Sequence, residues 1–84
     1  MINNRKLSTQ LPSIIYLTRS TRDILNSNEV FTKKELTFLF GDKEIVIWLK
    51  MNGYLCQSSD CRWRKAEKLN ELLAEGIEQI QTTI

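Results

Sequence analysis

Residues 31–65 read FTKKELTFLFGDKEIVIWLKMNGYLCQSSDCRWRK, and this stretch decides the fold. Thr32-Lys33-Lys34-Glu35 is a capping box. The threonine hydroxyl accepts an orphan N–H of the first helical turn, and the glutamate reaches back to the cap. The helix it opens runs to Phe40, with Leu36, Leu39 and Phe40 toward the core. Gly41 ends it by adopting positive φ. Asp42 caps a second helix, Lys43 to Asn52, which Gly53 terminates. Two helices joined by so short a turn cross at a steep angle. Tyr54 to Gln57 and Cys61 to Lys65 then form two short strands around the turn cluster Ser58-Ser59-Asp60.

Working outward, residues 1–11 read as a loose polar arm, either a frayed terminus or a phosphate contact through Arg5 and Lys6. Residues 12–26 are ambiguous. Ile14, Leu17, Thr21, Ile24 and Leu25 share a helical face, and Pro12 suits a first turn, so a helix is favoured. Ile14-Ile15-Tyr16 also has strand character, and Ser20 with Asp23 is a capping pair for a shorter helix. On the other side, Ala66 to Gln81 reads as an amphipathic helix with Leu69, Leu72, Leu73, Ile77 and Ile80 as its stripe. Gly76 weakens it by roughly 1 kcal/mol relative to Ala. Ala66, Leu69, Leu73, Gly76 and Ile80 recur at alternating three and four, a short coiled-coil-like seam. The expectation is that this helix packs on the domain on one side and forms a homodimer on the other, with Leu69, Leu73 and Ile80 at the interface.

The whole chain has 84 residues, enough for one small domain spanning 1–84. Net charge is only +2, so any basic footprint must come from clustering. There is no histidine, which removes the commonest general base and metal ligand. Two cysteines cannot fill a tetrahedral zinc site within one chain. No phosphate loop or nucleophile with an adjacent base is present, so neither an enzyme, a cofactor nor a metal is expected. No apolar run is long enough to span a membrane and no signal peptide opens the chain, so the expected location is cytoplasmic.

The segment FTKKELTFLFGDKEIVIWLKMNGYL resembles the winged helix-turn-helix superfamily, in particular its excisionase and MerR-type branch. Thr32, Glu35, Leu36, Leu39, Gly41, Leu49, Gly53 and Leu55 match the pattern of that group. Arg62-Trp63-Arg64 followed by a Glu-Leu-rich helix resembles its wing and the helix behind it. Three positions depart from the pattern: Thr37 stands where alanine is usual, Phe38 where a polar residue is usual, and the second helix is poor in polar groups on its outer face. The resemblance implies a mainly α fold with a small β-hairpin wing, an extra N-terminal segment and a C-terminal amphipathic helix. It also implies sequence-specific binding of double-stranded DNA, in transcription regulation or as an accessory factor in site-specific recombination.

On that reading the second helix enters the major groove and the hairpin holds the backbone. Lys43, Glu44 and Lys50 are the base-proximal candidates, with Ile47 beside them. Arg62, Arg64 and Lys65 are the backbone candidates. Arg62 and Arg64 flank Trp63, so they share one strand face while Trp63 takes the other and anchors the hairpin. If Ile45, Val46 and Leu49 face the core, Ile47 and Trp48 lean outward, near Phe38. Three readings stay open: cover by the N-terminal segment, an apolar surface for a protein partner, or contact with thymine methyls. Cys56 and Cys61 flank the turn and read either as reduced fillers or as a cross-strand redox pair.

Overall fold

The computed structural model describes residues 11–82. Within them the order is β1 (Ile14–Tyr16), α1 (Arg19–Ser27), α2 (Lys33–Phe40), α3 (Lys43–Met51), β2 (Leu55–Gln57), β3 (Trp63–Lys65), α4 (Glu67–Glu75) and β4 (Gln79–Gln81). The result is a mixed α/β fold with four helices and an antiparallel hairpin among the described residues. Most of the arm expected over residues 1–11 lies outside them.

The central stretch forms as its caps require. The Glu35 N–H donates to Thr32 Oγ1 at 3.0 Å, and the Thr32 N–H donates to Glu35 Oε1 at 2.9 Å. Gly41 takes φ +89 and returns its N–H to the Thr37 carbonyl. Asp42 Oδ1 then accepts the Glu44 N–H at 2.9 Å and opens α3. That helix ends at Met51, with Asn52 as its cap and Gly53 at φ +87 just beyond. Leu36 from α2 and Ile45, Val46 and Leu49 from α3 are buried in the angle between the two helices.

The N-terminal segment departs from the expected helix over 12–26. Ile14-Ile15-Tyr16 is a strand, and α1 starts only at Arg19. Its cap is Thr18, whose Oγ1 accepts the Thr21 N–H at 3.2 Å, rather than Ser20. The C-terminal helix expected to Gln81 also stops early. Gly76 takes φ +75, its N–H and that of Ile77 close onto the carbonyls of Leu73 and Leu72, and the chain turns. The glycine that sequence reads as a weak point inside a helix is therefore its stop.

Both departures have one cause. β1 pairs antiparallel with β4 in the register Ile14↔Gln81, Ile15↔Ile80, Tyr16↔Gln79. Ile15 and Ile80 lie opposite each other, each 3% exposed, on the face that joins the core. The β-branched residues gain a cross-strand partner that no helix would give them.

In the hairpin the register is Leu55↔Lys65, Cys56↔Arg64 and Gln57↔Trp63. The strands are shorter than expected because Cys61 and Arg62 belong to the turn. Cys61 takes φ +65 and donates its N–H to the Ser58 carbonyl. β3 has a second neighbour. Phe31 and Trp63 exchange both backbone hydrogen bonds, at 2.8 and 2.9 Å, and both side chains are buried. The segment between α1 and α2 thus borders the hairpin, and Trp63 ties the two together. Leu25, Leu55 and Leu69 complete the core around them.

Candidate nucleic-acid interface

The outer face of α3 carries Lys43, Ile47 and Lys50 at spacings of four and three, one stripe along the helix. Lys43 and Lys50 are exposed; Ile47 is half-buried. Glu44 is half-buried in the first turn, where a carboxylate favours the helix N-terminus. At its N-terminal end the stripe meets a shelf formed by Lys33, Lys34, Thr37 and Phe38 of α2. Lys33 and Lys34 are basic neighbours of Lys43 that the sequence reading did not single out. Their spacing from Thr37 and Phe38, four positions each, was the available signal that the four share a face.

At the other end Lys50 is held by the hairpin. Its Nζ donates to Gln57 Oε1 at 3.1 Å and stands 5.4 Å from the Trp63 ring centroid. Trp63 Nε1 is buried without a hydrogen-bond partner among the described residues. The ring therefore serves as an apolar anchor under a cation.

Trp48 does not stand out as a free patch. It is half-buried and stacks on Tyr54, with ring centroids 5.9 Å apart and planes 19° from parallel. Lys68 covers Tyr54 in turn, its Nζ 4.5 Å from that ring and donating to the Asn52 carbonyl at 3.1 Å. The aromatic cover of Trp48 therefore comes from the residue just after Gly53. Phe38 differs: it is 85% exposed.

On the hairpin, Trp63 faces inward and the arginines face out. Arg62 lies in the turn and pairs with Asp60 at 3.5 Å. The Ser58 hydroxyl, and after it the Arg62 N–H, donate to the Asp60 carboxylate and hold its pKa below the ordinary value. Arg64 is exposed opposite Cys56, beside Glu29 and Asn70. It projects from the hairpin face opposite to the one bearing Trp63 and Gln57. The two arginines and the α3 lysines therefore do not form one flat patch.

Lys65, Leu69 and Ile80 are corrected, and the open cysteine reading is decided. Lys65 is not a free backbone contact: it is half-buried, and its Nζ donates to the Leu25 carbonyl in the last turn of α1. Leu69 and Ile80 are not an interface, since both are buried in this chain's own core. Leu73 is half-buried and packs against the same core. The seam is lost because α4 ends before Ile80 and β4 carries that residue inward. Cys56 and Cys61 are not cross-strand neighbours: Arg64 faces Cys56, Cys61 sits in the turn, and both thiols are free and exposed.

Among the described residues no group of three or more His, Cys, Asp or Glu side chains is arranged to hold a metal ion, and no helix is long and apolar enough to cross a membrane. Compared with protein-family models, with curated proteins and with solved structures, the chain matches none.

Proposed function

We propose that the chain is a small, non-enzymatic, cytoplasmic DNA-binding protein of the winged helix-turn-helix type. The observation that carries this reading is the layout around α3. A helix about 13 Å long, at 1.5 Å per residue, presents Lys43, Ile47 and Lys50 along one outer stripe. Lys33 and Lys34 extend its positive end, and a hairpin with outward Arg62 and Arg64 stands at the other. The order α1, extended Phe31, α2, α3, β2, β3, with Phe31 paired to Trp63, supports the winged arrangement. α3 would lie in the major groove, with Lys43 and Lys50 near guanine acceptors, Glu44 near a cytosine amine and Ile47 near a thymine methyl. The hairpin arginines would hold phosphates and set the register.

The role would be transcription regulation or assistance in site-specific recombination, as the sequence resemblance implies. A homodimer reading two half-sites remains part of the proposal, through a surface other than the buried α4 leucines. The rival reading, a module for protein docking, loses Ile47 and Trp48 as exposed anchors and retains Phe38.

Fluorescence anisotropy with duplex DNA across a salt series tests the reading. Arg62→Ala combined with Arg64→Ala should weaken binding to all sequences and flatten the log–log salt slope by about 2, near 0.9 for each phosphate no longer neutralised. Lys43→Ala should relax sequence preference as well as affinity. Absence of salt-sensitive binding to any duplex would exclude a DNA-binding role.

A further inference from the structure

Phe38 is the anomaly of this surface. A phenylalanine 85% exposed in the middle of a helix loses its apolar burial, and it is not alone. On one side it borders a groove of about 380 Å³ between α1 and α2, with Ile24, Phe31 and Leu39 among its lining. On the other side it borders the shelf of Lys33, Lys34 and Lys43. Exposed apolar surface of this kind marks interaction sites.

The groove's polar groups sort by whether they are already used. Glu35 stands at the rim, but its carboxylate is turned back onto the Thr32 N–H. Asn28 Nδ2 donates to the Ile24 carbonyl at 3.1 Å. Lys33, Lys34 and Lys43 join no ion pair among the described residues. The site is thus an apolar slot with one uncommitted cation, Lys34, in its lining, Lys33 and Lys43 on the shelf across Phe38, and a lining carboxylate already engaged. Its complement is an apolar side chain flanked by carboxylates.

From this charge pattern we infer that the α1–α2 groove docks an acidic amphipathic segment of another protein. A leucine or aromatic side chain of that segment enters beside Phe38, and its carboxylates lie over Lys33 and Lys34. This is helix-in-groove recognition with a basic rim. A second copy of the chain fits less well. Its acidic helix α4 exposes Glu67, Glu71 and Glu75, but its leucines are buried or half-buried in their own core, so it has carboxylates without a free anchor. A lipid surface fits less well because the apolar site is concave. The inference shares Lys33 and Lys34 with the DNA reading but is separable from it through Phe38 and the groove, which that reading does not use.

The test uses the full chain and a fluorescein-labelled synthetic helix with leucine and phenylalanine on one face and glutamates along its flank. A second peptide replaces the glutamates by lysines. The acidic peptide should bind and the basic one should not. Phe38→Ala should weaken binding at least about tenfold, the scale of a central aromatic anchor. Lys33→Glu with Lys34→Glu should do the same. Phe38→Ala should leave DNA binding and the circular dichroism spectrum unchanged, because the side chain is exposed. Failure of the acidic peptide to bind, equal binding of the basic peptide, or binding indifferent to Phe38→Ala overturns the proposal. It is also overturned if Phe38→Ala instead releases the chain from phosphatidylserine vesicles, or dissolves a dimer in sedimentation velocity. Those two outcomes assign the groove to a lipid surface and to a second copy, respectively.

Discussion

The lysines among the described residues fall into two regions with opposite fates. Around the hairpin and α4, Lys50, Lys65 and Lys68 each donate to an acceptor of the same chain: Gln57, the Leu25 carbonyl and the Asn52 carbonyl. Two of them also lie over aromatic rings. Around the start of α2 and α3, Lys33, Lys34 and Lys43 form no ion pair among the described residues. Residues of one type thus serve as clamps in one region and as unspent charge in the other. A net charge of +2 conceals this, because counting charges does not tell which are engaged. The modest total is no argument against an anionic ligand when Lys33, Lys34 and Lys43 are gathered on one side.

The contrast is sharpest at Trp63, which underlies the clamped region. Trp63→Ala should destabilise the fold by about 3–5 kcal/mol, read by chemical denaturation, because it empties the junction of Phe31, the hairpin and Lys50. Trp63→Phe should recover much of that loss, since Nε1 has no partner to lose. A Trp63→Phe variant as unstable as Trp63→Ala would mean that the indole N–H is engaged after all.

Lys65→Ala comes next, at about 1–2 kcal/mol, from stranding the Leu25 carbonyl of a charge-assisted hydrogen bond. By contrast, Lys33→Ala, Lys34→Ala and Lys43→Ala combined should shift stability by less than about 0.5 kcal/mol, as for surface positions without partners. Equal effects from the two sets would erase the distinction between clamps and free charge.

The smallest effect concerns Asp60. Its folded pKa is depressed, chiefly by the Ser58 hydroxyl, so its contribution is fully present above the unfolded value near 3.8. It is lost as pH falls through the lower folded value. Asp60→Asn should remove that acid-side slope, with its small cost in stability present at neutral pH and gone below the folded pKa, as measured by denaturation at a series of pH values.

How far these regions were legible differs for physical reasons. The α2–α3 unit is written in local chemistry: Thr32, Glu35, Gly41 and Asp42 each act within a few residues, so their spacing alone predicts the structure. β1 and β4 are not local. Ile15 pairs with Ile80 from the far end of the described residues, and Ile80 also happens to fit a helical stripe with Leu69 and Leu73. The candidate site was half legible. Lys43, Lys50, Arg62 and Arg64 are exposed as expected. Lys65 looked equally free, because nothing in its neighbours announces a carbonyl forty residues upstream. Of the two cysteine readings the cross-strand pair does not form: Arg64 lies opposite Cys56, and Cys61 sits in the turn at φ +65.

The β1–β4 pair also decides how the molecule answers a mechanical load. In the register Ile14↔Gln81 the outer ends of the two strands lie side by side, at the same end of the ladder. The bonds of an antiparallel pair run across the strands. A force drawing those two ends apart therefore meets the bonds one after another, as a zipper, and never loads them together in shear. The clasp should open at low force and release α1 and α4, while the Phe31–Trp63 junction stays shut.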